Sequence, residues 1–135
     1  MAFIDLQRTV EEIRWSDDPG SKTYRIDFSD DALVRYRDSL DEYRRELESI
    51  EGDPAKTGAE DRERLAGVIH GFIATVAGEE CYEDALAYVD VDGGGAASCN
   101  YMMLGIVGAL SDLIVEHLEH AKVGHVREYL GEEVI

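Results

Sequence analysis

The stretch SDDALVRYRDSLDEYRRELESIEG, residues 29–52, decides how this chain folds. Leu33, Tyr36, Leu40, Tyr43, Leu47 and Ile50 recur at alternating steps of three and four residues. That spacing puts all six on one narrow seam of a helix, while Asp, Glu and Arg fill the other faces. Ser29 stands at the N-cap position, with Asp30 and Asp31 in the first turn, where carboxylates complement the helix dipole. Gly52 and Pro54 stop the pattern, which predicts a helix over 30–51. Asp31 with Arg35, and Asp41 with Arg45, have i,i+4 spacing, worth about 0.2–0.5 kcal/mol per pair. At about 1.5 Å per residue the helix is roughly 33 Å long, one whole side of a small domain. A homo-oligomer through this seam is an open alternative. However, parallel pairing would set Glu46 against Glu51, and antiparallel pairing would bring Arg37 near Arg44. Neither pattern directs a homodimer, so the seam is expected inside its own subunit.

Upstream, Tyr24, Ile26 and Phe28 alternate with Arg25 and Asp27, the period of a half-buried strand. Asp17-Asp18-Pro19-Gly20-Ser21 is a turn signal, and Ile13 with Trp15 can alternate on a partner strand. A β-hairpin over residues 10–28 is preferred to a short amphipathic helix through Leu6, Val10 and Ile13. Residues 1–9 stay unassigned.

Downstream, a polar linker at 52–58 precedes a helix over 59–77, with Leu65, Val68, Ile69, Phe72, Ile73 and Val76 as its apolar stripe. Gly67 and Gly71, four apart, are expected to let another helix come close. Gly78 breaks the pattern, and residues 79–89 read as a short helix with Tyr82, Ala85, Leu86 and Val89 inward. After the loop Asp90-Val-Asp-Gly-Gly-Gly, Ser98 or Asn100 is expected to cap a last helix over 98–120. Its inner face is Met103, Leu104, Val107, Leu110, Ile114 and Leu118, with Gly105 and Gly108 thinning its middle. Residues 122–130 read as a further turn or two of helix. The predicted fold is mainly α: one domain over 1–135, a small bundle of three to four helices with an N-terminal hairpin.

The chain has 135 residues, 44% of them hydrophobic, which suits one folded domain with one core. Thirty acidic residues against thirteen basic give a net charge of −17, far beyond the magnitude of about 2–8 usual for a small domain. Such a surface repels nucleic acid and anionic lipid and favours basic partners or cations; plain solubility explains it equally well. Cys81 and Cys99 form no Cys-x-x-Cys or Cys/His cluster and read as two buried thiols in a reducing compartment. The N-terminus lacks the basic region of a signal peptide, and no run of about 18 apolar residues suggests a membrane span. The expected location is the cytoplasm.

Little in the residues suggests chemistry. Asp90-x-Asp92 opens like a calcium-binding EF-hand loop, but the position of the closing Glu is Tyr101. No Lys-Ser/Thr follows the glycines, so they do not form a phosphate loop. Glu116, His117 and His120 share a helix and could share a metal, yet they lack the His-Glu-x-x-His core of a zinc hydrolase. His near a helix C-terminus is favoured by the dipole without a metal. His70 reads as a surface or boundary residue. The chain is expected not to be an enzyme and to need no cofactor.

The order of elements adds a resemblance. A hairpin ending in Tyr24-x-Ile26-x-Phe28 runs through Asp30-Asp31 into a helix bearing Tyr36 and Tyr43. A second helix ends near Phe72-Ile73 and Gly78-Glu79, and a glycine loop leads to a last amphipathic helix. Over residues 20–120 this layout resembles small siphophage and prophage tail-region proteins of the tail-assembly-chaperone type. The chain departs from them in its extended N-terminus and its His-containing tail after Ala121. The resemblance implies a phage or prophage assembly protein with no chemistry of its own, which coats a helical partner such as the tape-measure protein in the host cytoplasm. It implies partner-binding roles for Tyr36, Tyr43 and Leu47, then Met102, Met103 and Leu110, although all six suit a core equally and a core is the preferred place for Leu47 and Leu110. A different class is an acidic helical adaptor or regulator, a charge mimic that binds a basic protein. A metal-dependent enzyme built on Glu116, His117 and His120 comes third.

Overall fold

A computed structural model of the chain describes residues 10–15, 20–50 and 58–121. The order is β1 (Val10–Ile13), β2 (Tyr24–Asp27), α1 (Asp30–Glu48), α2 (Ala59–Ala77), α3 (Glu79–Val89) and α4 (Asn100–Ala121), with a 3-10 turn at Ala96–Ser98 before α4. The molecule is mainly helical: four helices and an N-terminal antiparallel hairpin, as the sequence patterns predict. The readings of residues 1–9, of the linker before Gly58 and of residues 122–130 lie outside the described residues.

In the hairpin, Val10 faces Asp27, Glu11 faces Ile26, Glu12 faces Arg25 and Ile13 faces Tyr24. Tyr24, Ile26 and Phe28 are buried, so the period-two reading gives the right face. The same face carries Glu11 opposite Ile26, a carboxylate on the side that meets the helices. At the end of β2 the Asp27 carboxylate accepts from the Ser29 amide and hydroxyl at 2.9 and 3.0 Å. Ser29 in turn caps α1 by accepting from Ala32 N at 3.4 Å. Strand end and helix start are thus one hydrogen-bonded unit.

On α1, Leu33, Tyr36, Leu40 and Tyr43 are buried and Leu47 is half-buried, so the heptad seam is occupied within its own subunit. Two expectations need correcting. The ion pairs of Asp31 with Arg35 and Asp41 with Arg45 do not form; α1 instead accepts Arg64 of α2 on Glu46 at 3.0 Å and on Ser49 at 2.6 Å. Gly67 and Gly71 are not a close-approach face either: both are exposed, and a Cβ on either would meet nothing within 4 Å. The buried side of α2 is made by Ala66, Ile69, Phe72, Ile73 and Val76.

Gly78 ends α2 and opens α3 at φ 97°, ψ 156°, a backbone region that is essentially glycine's own. The capping of α4 also differs from expectation. The Ser98 hydroxyl donates to the Gly95 carbonyl at 2.7 Å, and the Asn100 amide donates to the Arg62 carbonyl at 3.0 Å. Neither caps the helix, whose first turn closes from Met103 N onto Cys99 O. Asn100 ties the start of α4 to α2. One core joins all four helices and the hairpin, centred on Ile26, Ile69, Phe72, Ile73, Met103, Val107, Leu110 and Ile114.

Candidate interaction surface

The Asp90 loop and the histidines are explained by structure alone. The Asp90 carboxylate accepts from the amides of Gly94 and Gly95 at 2.9 and 3.0 Å, so its own loop satisfies both oxygens. His117 stacks flat on Phe28, centroids 3.7 Å apart, and its Nε2 donates to Glu11 Oε1 at 3.0 Å. It thereby balances the inward acid of β1. His70 stacks on Tyr82 at 3.9 Å and meets Glu79 at 2.7 Å, a boundary residue as read. Among the described residues no group of three or more His, Cys, Asp or Glu is arranged to hold a metal; the side chain of His120 is outside them.

Cys81 and Cys99 are free and buried. Burial, then the nearby Asp84 carboxylate, pushes the Cys81 thiol up to about 11, the opposite of a reactive thiolate site. Asp84 accepts from Tyr24 Oη at 2.7 Å and from Lys22 at 3.1 Å, and Glu80 also accepts from Lys22. The bonds from Tyr24 and then Lys22 hold the Asp84 carboxyl below its ordinary value, and the bonds to Glu80 and then Asp84 raise Lys22. Burial and then the bond to Asp84 push Tyr24 up to about 12. This cluster clamps the hairpin to α3.

The surface left over is apolar and lies between α3, α4 and the end of β1. The inner face of α4 follows the reading: Met103, Val107, Leu110 and Ile114 are buried, while Leu104 and Leu118 are partly so. A second stripe, Met102, Gly105, Ile106, Ala109 and Leu113, repeats at helical spacing about a third of a turn away. It forms the floor of a groove of about 400 Å³, whose other walls are Tyr88 and Val89 of α3 and Ile13, Arg14 and Trp15 of the hairpin. Met102 is 57% exposed and Tyr88 67%; Tyr101, one residue away on α4, is 86% exposed. Trp15 Nε1, in the groove wall, is shut off from solvent with no hydrogen-bond partner. A second groove of about 370 Å³, between α1 and α2, is polar, and the Arg64–Glu46 pair already ties its walls together.

Charge is distributed unevenly around this groove. No Lys or Arg occurs between Arg64 and Lys122. Over 79–121, the two helices and loop that make most of the groove carry Glu79, Glu80, Glu83, Asp84, Asp90, Asp92, Asp112, Glu116 and Glu119, nine acids. Their described basic counterweights come from the hairpin, as Lys22 and Arg14 do.

The six residues assigned to partner binding therefore divide. Tyr36, Tyr43, Met103 and Leu110 are buried in the core, although Leu110 also lines this groove and Tyr43 the one between α1 and α2. Leu47 is half-buried at the end of α1, far in sequence from the groove, and Met102 stands in its wall. The reading from sequence missed Tyr88, Gly105, Ala109 and Leu113, although the step 102–105–106–109–113 is visible in the chain. It also passed over α4 as a membrane-length segment: Asn100–Glu119 is long and apolar enough by composition, with 22% of the window buried. Its inner face packs on α2 and α1, as a core helix does. No protein-family model matches the chain, and neither a curated protein nor a solved structure does.

Proposed function

We propose that this chain is a non-enzymatic binding protein that holds an apolar helical segment of a protein partner in the groove between α3, α4 and β1. The observation that carries the reading is the second apolar stripe of α4. A helix apolar on more than one face is ordinarily buried on all of them, and here one stays open among the described residues of a chain of net charge −17. An apolar groove of helical width accepts an amphipathic helix, and the surrounding negative field keeps such a complex soluble. In its specific form the reading is a phage or prophage tail assembly chaperone, working in the cytoplasm of the bacterial host on the tape-measure protein. The layout over residues 20–120 supports that form.

Co-expression tests it. The tape-measure protein encoded in the same genome is expected to become soluble with this chain, and to lose that solubility with Met102→Asp or Tyr88→Asp. A genome without such a gene, or a tape-measure protein equally soluble with either variant, would remove the phage form. The second reading, an acidic adaptor that mimics a polyanion, is favoured by the absence of Lys and Arg between residues 64 and 122. It requires binding that collapses in high salt and ignores the groove variants.

A further inference from the structure

We infer that the segment seated in this groove is a basic amphipathic helix that crosses α4 at Gly105 and Ala109. The inference rests on the protein-binding reading above and adds the partner's charge and its point of closest approach. At Gly105 a Cβ would meet nothing within 4 Å, and Ala109 is exposed one turn further along. With Met102 and Leu113 one turn outside them, these positions make a hole between two large apolar side chains, the shape that takes a knob from a facing helix. Small residues at the crossing let the two helix axes approach at the short end of the usual 8–10 Å.

The rim sets the charge. Asp112 and Glu116 are exposed on α4 beside the apolar stripe, and Asp92 is exposed just beyond α3. With no Lys or Arg on α3 or α4, and Arg14 in the hairpin wall, an acidic helix would gain nothing along the α3 and α4 sides, whereas Lys or Arg beside the apolar anchors would be attracted there. A second copy of this chain is disfavoured for the same reason, since it would bring another −17.

The test uses the full chain and three synthetic 18-residue peptides. One has Leu at i, i+4, i+7 and i+11 flanked by Lys, the second has the same seam flanked by Glu, and the third scrambles the first so that the seam is lost. The Lys-flanked helix is expected to bind at least ~10-fold tighter than the Glu-flanked one at about 0.1 M salt. The ratio should shrink at about 1 M, where the screening length drops from about 10 Å to about 3 Å. Gly105→Leu, at a position where a Cβ meets nothing within 4 Å, should weaken binding at least ~10-fold while its melting temperature stays at or above the parent's.

Equal affinity for the Lys and Glu versions overturns the basic partner and leaves the protein-binding reading standing. A scrambled peptide that binds as well overturns the helix and supports the polyanion mimic. Unchanged binding by Gly105→Leu overturns the crossing point. If no peptide binds and light scattering gives twice the chain mass, reduced to one by Gly105→Leu, a second copy fills the groove and both readings fall. If no peptide binds and the protein is monomeric, this inference falls alone, and the co-expression assay judges the other.

Discussion

α1 and α4, the two ends of the helical sequence, use apolar side chains in opposite ways. α1 gathers them into a single seam, buries Leu33, Tyr36, Leu40 and Tyr43, and keeps charge on the rest of its surface. α4 buries one stripe just as completely and carries a second to the surface, with Met102 and Leu113 around Gly105 and Ala109. The first helix is the better amphipath, yet it offers a partner almost nothing, because its pattern is used up by folding. The second is the poorer amphipath, and its excess is what remains for binding. A strong pattern therefore locates the core, and a function of this kind is better sought where apolar residues exceed what one face can bury.

The sharpest way to break the comparison is to delete one side chain from each stripe of α4. Ile114→Ala, fully buried, is expected to cost about 3–4 kcal/mol in a denaturant titration. Met102→Ala should stay within about 0.5 kcal/mol of the parent, since a mostly exposed side chain is removed. A similar cost at both sites would mean that the second stripe is core. Next in size is His117→Ala, which removes the stack on Phe28 and the partner of Glu11 and should lower stability by about 1–2 kcal/mol. His117→Gln, which keeps a donor but loses the ring, separates the two contributions.

Smaller and opposite in sign, Gly105→Ala and Gly67→Ala should each raise stability by up to about 1 kcal/mol, because both glycines lie within helices with open space around them. Only Gly105→Ala is expected to weaken binding as well, so the pair distinguishes a glycine of the groove from one outside it. The mildest test is alkaline. Tyr24 at about 12 and Cys81 at about 11 lie above their ordinary values of 10 and 9, so each holds its proton to higher pH in the folded chain than in the unfolded one. Their contribution is complete below the unfolded values and is lost as pH rises through the folded ones, between about 9 and 12. The urea midpoint should fall across that window. Cys81→Ala should flatten its lower part and Tyr24→Phe its upper part; an unchanged slope in both would remove these groups as the cause.

Wherever local periodicity dominated, the fold was legible. The helix over 59–77 and the helix over 79–89 have the bounds expected, and the alternation of Tyr24, Ile26 and Phe28 gave the hairpin. Polar side chains were not legible, because their partners come from distant elements: Arg64 reaches across to Glu46, Asn100 to Arg62, and His117 to Glu11. Sequence spacing offered Asn100 as a cap, whereas its amide is used by the longer reach to Arg62. Of the candidate surface, Met102 and the buried Leu110 were legible. One apolar face per helix is all that periodicity shows directly, so Gly105 reads as a thin point of α4 although it lies in the floor of a groove.

The inward carboxylate of β1 has a consequence for how the strands find each other. A slip of one residue would turn Val10, Glu12 and Arg14 toward the helices, and the hydrophobic alternation forbids it. A slip of two keeps the same face inward, and alternation alone cannot reject it. That slip would set Glu11 against Tyr24 or Phe28 instead of Ile26, away from His117, and leave a carboxylate facing apolar side chains without its donor. His117, over a hundred residues downstream on the last helix, thus proofreads the pairing of the first two strands.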